Sequence, residues 1–272
     1  MKRKVDFLYI ESPQNPRIKT WKQLKNKKGR DKSHAFLAEG IRLVEEAIRS
    51  DFELEALLWN VSTDELPDTI LEHENCKNVF FELSPSAFAE VSDTVTSQGV
   101  IAVVRMKDHE QAVKTSDLVV VLDGVQDPGN VGTLIRSCDA FGFGGACCGT
   151  QTADPFSPKV LRATMGGLFH IRVSSMPSAE FIKEWRILHP DGFVIVSDAN
   201  VDDSCFTIDL KGPCIIVVGS EAFGVSEEVR ELSTHRVAIP MIGQAESLNA
   251  GIAGSVLMYE SVRQRVHHNS IK

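Results

Sequence analysis

The segment Leu118 to Gly142, LVVVLDGVQDPGNVGTLIRSCDAFG, narrows the possible folds more than any other part of this chain. It opens with a near-continuous apolar run, Leu118 to Leu122, the pattern of a strand buried on both faces of a parallel sheet. A turn-rich loop, Asp123 to Asn130, follows, with Asp127, Pro128 and Gly129 as breakers. A helix is expected from about Asn130, whose side-chain oxygen suits an N-cap. At about 100° per residue, Phe141, Leu134, Cys138, Val131 and Ile135 share one apolar arc, while Arg136, Thr133, Ser137 and Asn130 share the opposite one. The polar arc thus follows the carboxyl end of a strand, where open α/β sheets hold their ligands. An ordinary βα unit with a solvated face accounts for this stretch equally well. There is no P-loop sequence, and Gly129 and Gly132 lack the spacing of a dinucleotide fingerprint.

The rest of the chain repeats the pattern. Gly145–Gly149, Phe193–Ser197, Cys214–Ser220 and Val237–Pro240 read as strands. Ser157-Pro158 opens a helix carrying Lys159 and Arg162, and Ser226 stands where it would cap another. A terminal helix is expected from Ser247 to about Arg265. Its first turns are crowded with Ala250, Gly251, Ala253, Gly254 and Ser255, types best explained by close approach of another backbone, within the chain or across a dimer. Ahead of this domain, Ala35–Ala38, Leu54–Trp59, Val79–Leu83 and Gly99–Val104 read as strands and Glu39–Arg49 as an amphipathic helix. The polar connection after Met106 marks a boundary, giving expected domains at 1–107 and 117–272. Strands separated by helices, without repeats, make both units α/β, the second with a mostly parallel sheet.

Charge is unevenly distributed. The chain carries −8 overall, yet residues 1–32 hold eleven Lys or Arg against three acids, leaving the remaining 240 residues at −16. Such a basic arm on an acidic body suits a polyanion partner; the alternative is a solvated helix face. Residues 12–32 read as a turn and one basic helix, with Ile18, Trp21 and Leu24 as its apolar stripe. Six scattered cysteines without a CxxC pair argue for reduced thiols and against zinc. No apolar run is long enough to span a membrane and no signal-peptide core is present, so a cytoplasmic protein is expected.

Three separated segments then point to one family. DGVQDPGNVGTLIRSCDAFGF (123–143), IVVGSEAFGVSEEV (216–229) and VAIPMIGQAESLNAGIA (237–253) together resemble the three signature motifs of the SpoU/TrmH class of SPOUT RNA methyltransferases, in order and at the right separation. SPKVLRATMGGLFHIRV (157–173) resembles the connector between the first two motifs, and the basic front resembles the substrate-binding domain ahead of many members. The resemblance implies a catalytic domain with a C-terminal trefoil knot, preceded by a small α/β RNA-binding domain. It also implies S-adenosylmethionine as cofactor, no metal, a homodimer, and transfer of methyl to a ribose 2′-oxygen in ribosomal or transfer RNA. By the same resemblance Gly219, Ser220, Ile239, Met241 and Leu248 are cofactor-binding positions. Asn130, Arg136, Glu221, Ser247 and Asn249 are the polar active-site positions.

A guanidinium is a poor proton acceptor. Arg136 is therefore expected to clamp a phosphate and lower the hydroxyl pKa, and Glu221 to orient the hydroxyl or take its proton. Asn130 and Ser247 either hold ligand or only cap helices. Arg17, Lys19, Lys22, Lys25, Lys27, Lys28, Arg30, Lys159 and Arg162 are the candidate RNA contacts. Ser220 departs from the Asn common at that position, and Ala250-Gly251 from a Val-Ser pair. A ribosomal substrate is favoured, with transfer RNA, or a non-catalytic RNA-binding protein of the same fold, as alternatives.

Overall fold

A computed structural model describes residues 8–63, 66–71, 73, 80–198, 201–245 and 247–269. Lys2, Arg3 and Lys4 of the basic segment, Cys76, Val79 and Glu246 lie outside the described residues. The chain divides into two units, Met1–Lys107 with Phe156–Phe169, and Asp108–Pro155 with His170–Lys272.

The first unit runs β1 (Leu8–Ile10), α1 (Pro16–Gln23), α2 (Lys27–Ser33), β2 (Ala35–Glu39), α3 (Ile41–Arg49), β3 (Leu54–Asn60), α4 (Asp68–Leu71), β4 (Phe80–Leu83), α5 (Pro85–Val91) and β5 (Val100–Arg105). Its sheet has the order β1-β4-β3-β5-β2, with β1, β4 and β3 parallel and β5 antiparallel to both neighbours. Asn15 and Pro16 start α1 as cap and first residue, the Asn15 side chain accepting the Arg17 N–H at 2.9 Å. The stripe Ile18, Trp21 and Leu24 is buried against Leu58, Phe88, Val91 and Val103.

The single basic helix expected over 12–32 is two helices. A Cβ on Gly29 would lie 2.0 Å from the Gln23 carbonyl oxygen, so only glycine lets α2 fold back against the end of α1. Arg30 completes that corner. It is 3% exposed, and its guanidinium donates to the carbonyls of Leu24 and Lys25, both at 2.9 Å. A planar fork can serve two orphan helix-end carbonyls at once. Arg30 is thus a structural residue and leaves the set of candidate RNA contacts.

The second unit runs α6 (Glu110–Lys114), β6 (Leu118–Asp123), α7 (Pro128–Ala140) and β7 (Gly145–Cys148). Next comes α8 (Pro158–Thr164), part of the segment that groups with the first unit rather than with the expected domain 117–272. The chain resumes with β8 (Arg172–Ser175), α9 (Ser178–Leu188), β9 (Phe193–Ser197), β10 (Cys214–Gly219), α10 (Glu227–Leu232), β11 (His235–Val237) and α11 (Ala250–Asn269). All six strands are parallel, in the order β11-β9-β10-β6-β7-β8. The order is in keeping with the knotted topology that the family resemblance implies.

The apolar runs behave as their composition dictates. Val119, Val121, Ile215 and Val217 face a cluster with Phe181, Ile182 and Trp185 of α9 and Val229 of α10. Their alternate neighbours, Val120, Leu122, Ile216 and Val218, are equally buried on the opposite face, that of α7 and α11. The last strand, His235–Val237, meets its expected span only at Val237, because Ala238 leaves the sheet to bridge Ser204.

One carboxylate organises an edge of the first unit. Glu39 accepts from the hydroxyls of Ser92, Thr94 and Ser97 at 2.6–2.7 Å and from the Asp93 N–H at 2.8 Å. Burial alone would raise its pKa, but these hydrogen bonds outweigh that and hold it below its ordinary 4.5. The ionised form is therefore favoured by folding, and the contribution is complete above pH 4.5 and fades as pH falls through the lowered folded value. Glu39→Gln is expected to cost about 1–3 kcal/mol at neutral pH, with the deficit vanishing in acid. Urea denaturation followed by tryptophan fluorescence at several pH values reads both effects.

Candidate active site

Asp127 caps α7, accepting the Asn130 N–H at 2.8 Å, with Pro128 as the first helical residue. The helix therefore begins before Asn130, which is not the cap. Freed from capping, the Asn130 side chain is buried (8% exposed), and its Nδ2 donates to Oε1 of Glu221. The Asp-Pro-Gly sequence is the signal for this arrangement, since proline favours the first helical position and a capping side chain the one before it.

Glu221 sits on a tight turn at the end of β10. Ser220 and Gly224 exchange backbone hydrogen bonds at 2.9 Å, and the Ser220 hydroxyl accepts the Phe223 N–H at 3.1 Å. A Cβ on Gly219 would lie 2.2 Å from the Gly224 carbonyl carbon, and backbone cannot yield as a side chain can. Gly219 pairs with Asp123 across β10 and β6, so both strand ends open at one level. Asp123 accepts the Ser226 N–H at 2.6 Å, tying the loop after β10 to the end of β6.

The third component is the start of α11. Asn249, not Ser247, is its cap, with Oδ1 accepting the Ile252 N–H at 3.2 Å. Ser247 lies before the helix in an exposed loop. A Cβ on Gly251 would stand 3.1 Å from Asn130 Oδ1 and 3.2 Å from Asn249 Oδ1, so the two amides converge over this glycine. One turn on, a Cβ on Gly254 would meet Leu134 Cδ2 at 2.4 Å and Val218 Cγ2 at 2.7 Å. The small residues thus serve close packing of α11 on α7 and β10 inside one chain. Ser137 and Ser255 seal the same seam with a hydroxyl pair at 2.7 Å.

Asn130, Glu221 and Asn249 are brought together; Arg136 is not bonded to any of them. It stands exposed on α7 and makes no hydrogen bond or ion pair among the described residues. Ile239 is half-buried just beyond β11, while Met241 and Leu248 are exposed at 38% and 36%. Ile242, fully exposed in the same loop, and Phe223, 87% exposed beside Glu221, carry no signal in the sequence. No periodicity marks an apolar side chain in a loop.

Of the candidate RNA contacts, Lys19, Lys27, Lys28 and Lys159 are exposed. Arg17 lies over the Phe81 ring at 4.8 Å. Lys22 pairs with Glu90 at 2.5 Å, Lys25 donates to the Ser92 carbonyl at 2.5 Å, and Arg162 pairs with Asp93 at 3.1 Å. The five cysteines among the described residues are free and buried, and burial pushes the Cys147 thiol up to about 12 and Cys138 upward too, so neither is an available nucleophile. Among the described residues no metal-binding cluster occurs, and no helix is long and apolar enough to cross a membrane.

Residues 117–259 match the SpoU rRNA Methylase family, and residues 15–102 match the MRM3-like substrate binding domain. This chain belongs to the SpoU rRNA methylase family. Among its relatives, the 23S rRNA (guanosine(2553)-2′-O)-methyltransferase RlmP of Bacillus subtilis is 36% identical over 92% of this chain and 97% of its own length. A 23S rRNA (uridine(2479)-2′-O)-methyltransferase of Streptomyces viridochromogenes is 29% identical over 93% of this chain and 91% of its own. The crystal structure of the SpoU methyltransferase AviRb from that organism, in complex with AdoMet, superposes with a TM-score of 0.83 at 30% identity, covering 93% of this chain and 99% of that one. The two matched stretches lie on either side of the polar connection after Met106.

Proposed function

We propose that the chain transfers the methyl group of S-adenosylmethionine to a ribose 2′-hydroxyl of ribosomal RNA. The observation that carries this reading is the convergence of Asn130, Glu221 and Asn249 at the open ends of β10 and β6. S-adenosylmethionine supplies an already activated methyl group, and the residues present suit it. Met241 and Leu248 leave apolar surface for an adenine ring, and Gly219, without a side chain, leaves the end of β10 open beside them.

What the protein must add is alignment and removal of one proton. The Asn130 amide holds one oxygen of Glu221, fixing the carboxylate so that it receives or orients the hydroxyl proton. Asn249 and Ser247 border the ribose. Arg136, a cation at the polar edge of α7, clamps an adjacent phosphate and favours the alkoxide by its charge. The names of the relatives support a large-subunit ribosomal substrate. Methyl transfer from labelled cofactor to unmodified 23S, 16S and transfer RNA transcripts tests this, and equal labelling of transfer RNA would defeat it. We place the enzyme in the cytoplasm, with its substrate.

Arg136→Ala is expected to lower methyl transfer at least about a hundredfold with cofactor affinity unchanged, and Arg136→Lys to recover little, since an ammonium lacks the planar fork. A fully active lysine variant would remove the clamp.

RNA affinity is expected to rest on the exposed cations of the front unit. Replacing Lys19, Lys27 and Lys28 by Gln should flatten the slope of log affinity against log salt by about 0.7–0.9 for each phosphate no longer neutralised. An unchanged slope would move recognition to the second unit.

A homodimer is supported by exposed Ile252 and Tyr259, seven residues apart on α11, with Phe141 5.7 Å from the Tyr259 ring. Light scattering should give twice the mass of one chain, falling to a single mass for Tyr259→Glu; a monomeric parent protein would refute it.

A further inference from the structure

A cavity of about 300 Å³ opens on the side of the Ser220–Gly224 turn where α9 and α10 begin. Its walls are the carboxyl ends of β6 and β10, the residues after β7, and the first turns of those two helices. Asn130, Glu221 and Asn249 are not among its lining residues.

Three features describe what it can hold. Its lining contains no Lys, Arg or His, while Asp123 and Glu228 are acidic, so an anion such as phosphate is excluded. Polar groups there lack partners. The Ser178 hydroxyl, only 4% exposed at the start of the eleven-residue α9, makes no hydrogen bond among the described residues. The exposed side chains of Gln126, Gln151 and Glu228 line the cavity and make no hydrogen bond to protein among the described residues, which leaves them available to a ligand. Finally, the Phe223 ring stands 87% exposed in the lining. A neutral, planar molecule with hydrogen-bonding edges and a π-face satisfies all three. The size lies at the small end of ligand sites, suited to one ring system rather than a folded oligomer.

We propose that this cavity receives one unpaired nucleobase of the RNA substrate, stacked on Phe223, with a donor edge toward Glu228. Guanine fits best. It alone offers two adjacent donors, N1–H and the exocyclic amine, to a carboxylate, and its O6 suits the unpaired N–H groups of the first turn of α9. The inference rests on the RNA methyltransferase reading and adds a base-reading subsite beside the reacting ribose. Exposed, stacked bases are how proteins read single-stranded RNA.

The test uses the full-length protein, saturating S-adenosylhomocysteine, and three RNA hexamers that differ at one position: UUGUUU, the same with inosine, which lacks the exocyclic amine, and UUCUUU. By fluorescence anisotropy, the guanine hexamer should bind about tenfold more tightly than the inosine one. Glu228→Gln, an isosteric change at an exposed position, should erase that difference. Phe223→Ala should weaken all three by about tenfold. Calorimetry should find S-adenosylmethionine affinity unchanged in both variants. Equal binding of the three hexamers, or a guanine preference that survives Glu228→Gln, overturns the proposal. Weakened cofactor binding in the variants does so too, since the cavity would then belong to the cofactor. Methyl transfer by the unsubstituted enzyme to 23S RNA is measured alongside. Its absence refutes the enzymatic reading alone, because hexamer binding is read without turnover; its presence without guanine preference overturns only the pocket.

Discussion

The catalytic unit depends on how closely α11 lies on α7 and β10. Two glycines within a helix cost about 1 kcal/mol each relative to alanine, yet at position 254 a single methyl would collide with Leu134 and Val218, and at 251 it would press on the amide oxygens of Asn130 and Asn249 at 3.1 and 3.2 Å. Dense packing along this seam, with buried Ala250, Ala253, Leu257 and Met258, offsets that cost. Because the helix comes so near, its capping residue Asn249 arrives beside Asn130, and Glu221 is met by an amide from α7. Move α11 outward by the width of a methyl group and the three side chains no longer share one volume.

A parallel sheet supports this economically. All six strands run the same way, so the loops after β6, β7 and β10 emerge at one edge. The helices of this unit fall on both faces of the sheet, and each face offers its own recess. One holds the polar cluster at α7 and α11; the other is the cavity beneath Phe223 at α9 and α10. The Ser220–Gly224 turn lies between them, held by two backbone hydrogen bonds and by a glycine that no other residue replaces without displacing backbone.

The front unit divides its charge between structure and recognition. Arg30 is buried at a helix corner, Lys22 and Lys25 are engaged with α5 and the residue after it, and Arg162 is paired with Asp93. What is left for a polyanion is narrower than the net charge of the segment suggests, centred on Lys19, Lys27 and Lys28. A formal charge count cannot separate these roles, because it ignores which guanidinium or ammonium already has carbonyls or carboxylates within reach.

By itself, the sequence determined the parallel α/β class, the two-part organisation, the buried stripe of α1 and the three motifs that carry the family. These are local or periodic properties: apolar runs such as Leu118 to Leu122, breakers such as Asp127-Pro128-Gly129, and spacing along one chain. Tertiary structure decided that the Asn130 side chain turns to Glu221 instead of capping α7. It also decided that the glycines of α11 serve an intrachain contact and that Arg30 is buried. The first two depend on partners far away in sequence, 91 residues in the case of Asn130 and Glu221, while Arg30 meets carbonyls five and six residues away once α2 folds back on α1. Which of several competent hydrogen-bonding groups becomes a cap, a core residue or a site residue is settled only when packing brings one partner within about 3 Å and keeps another out.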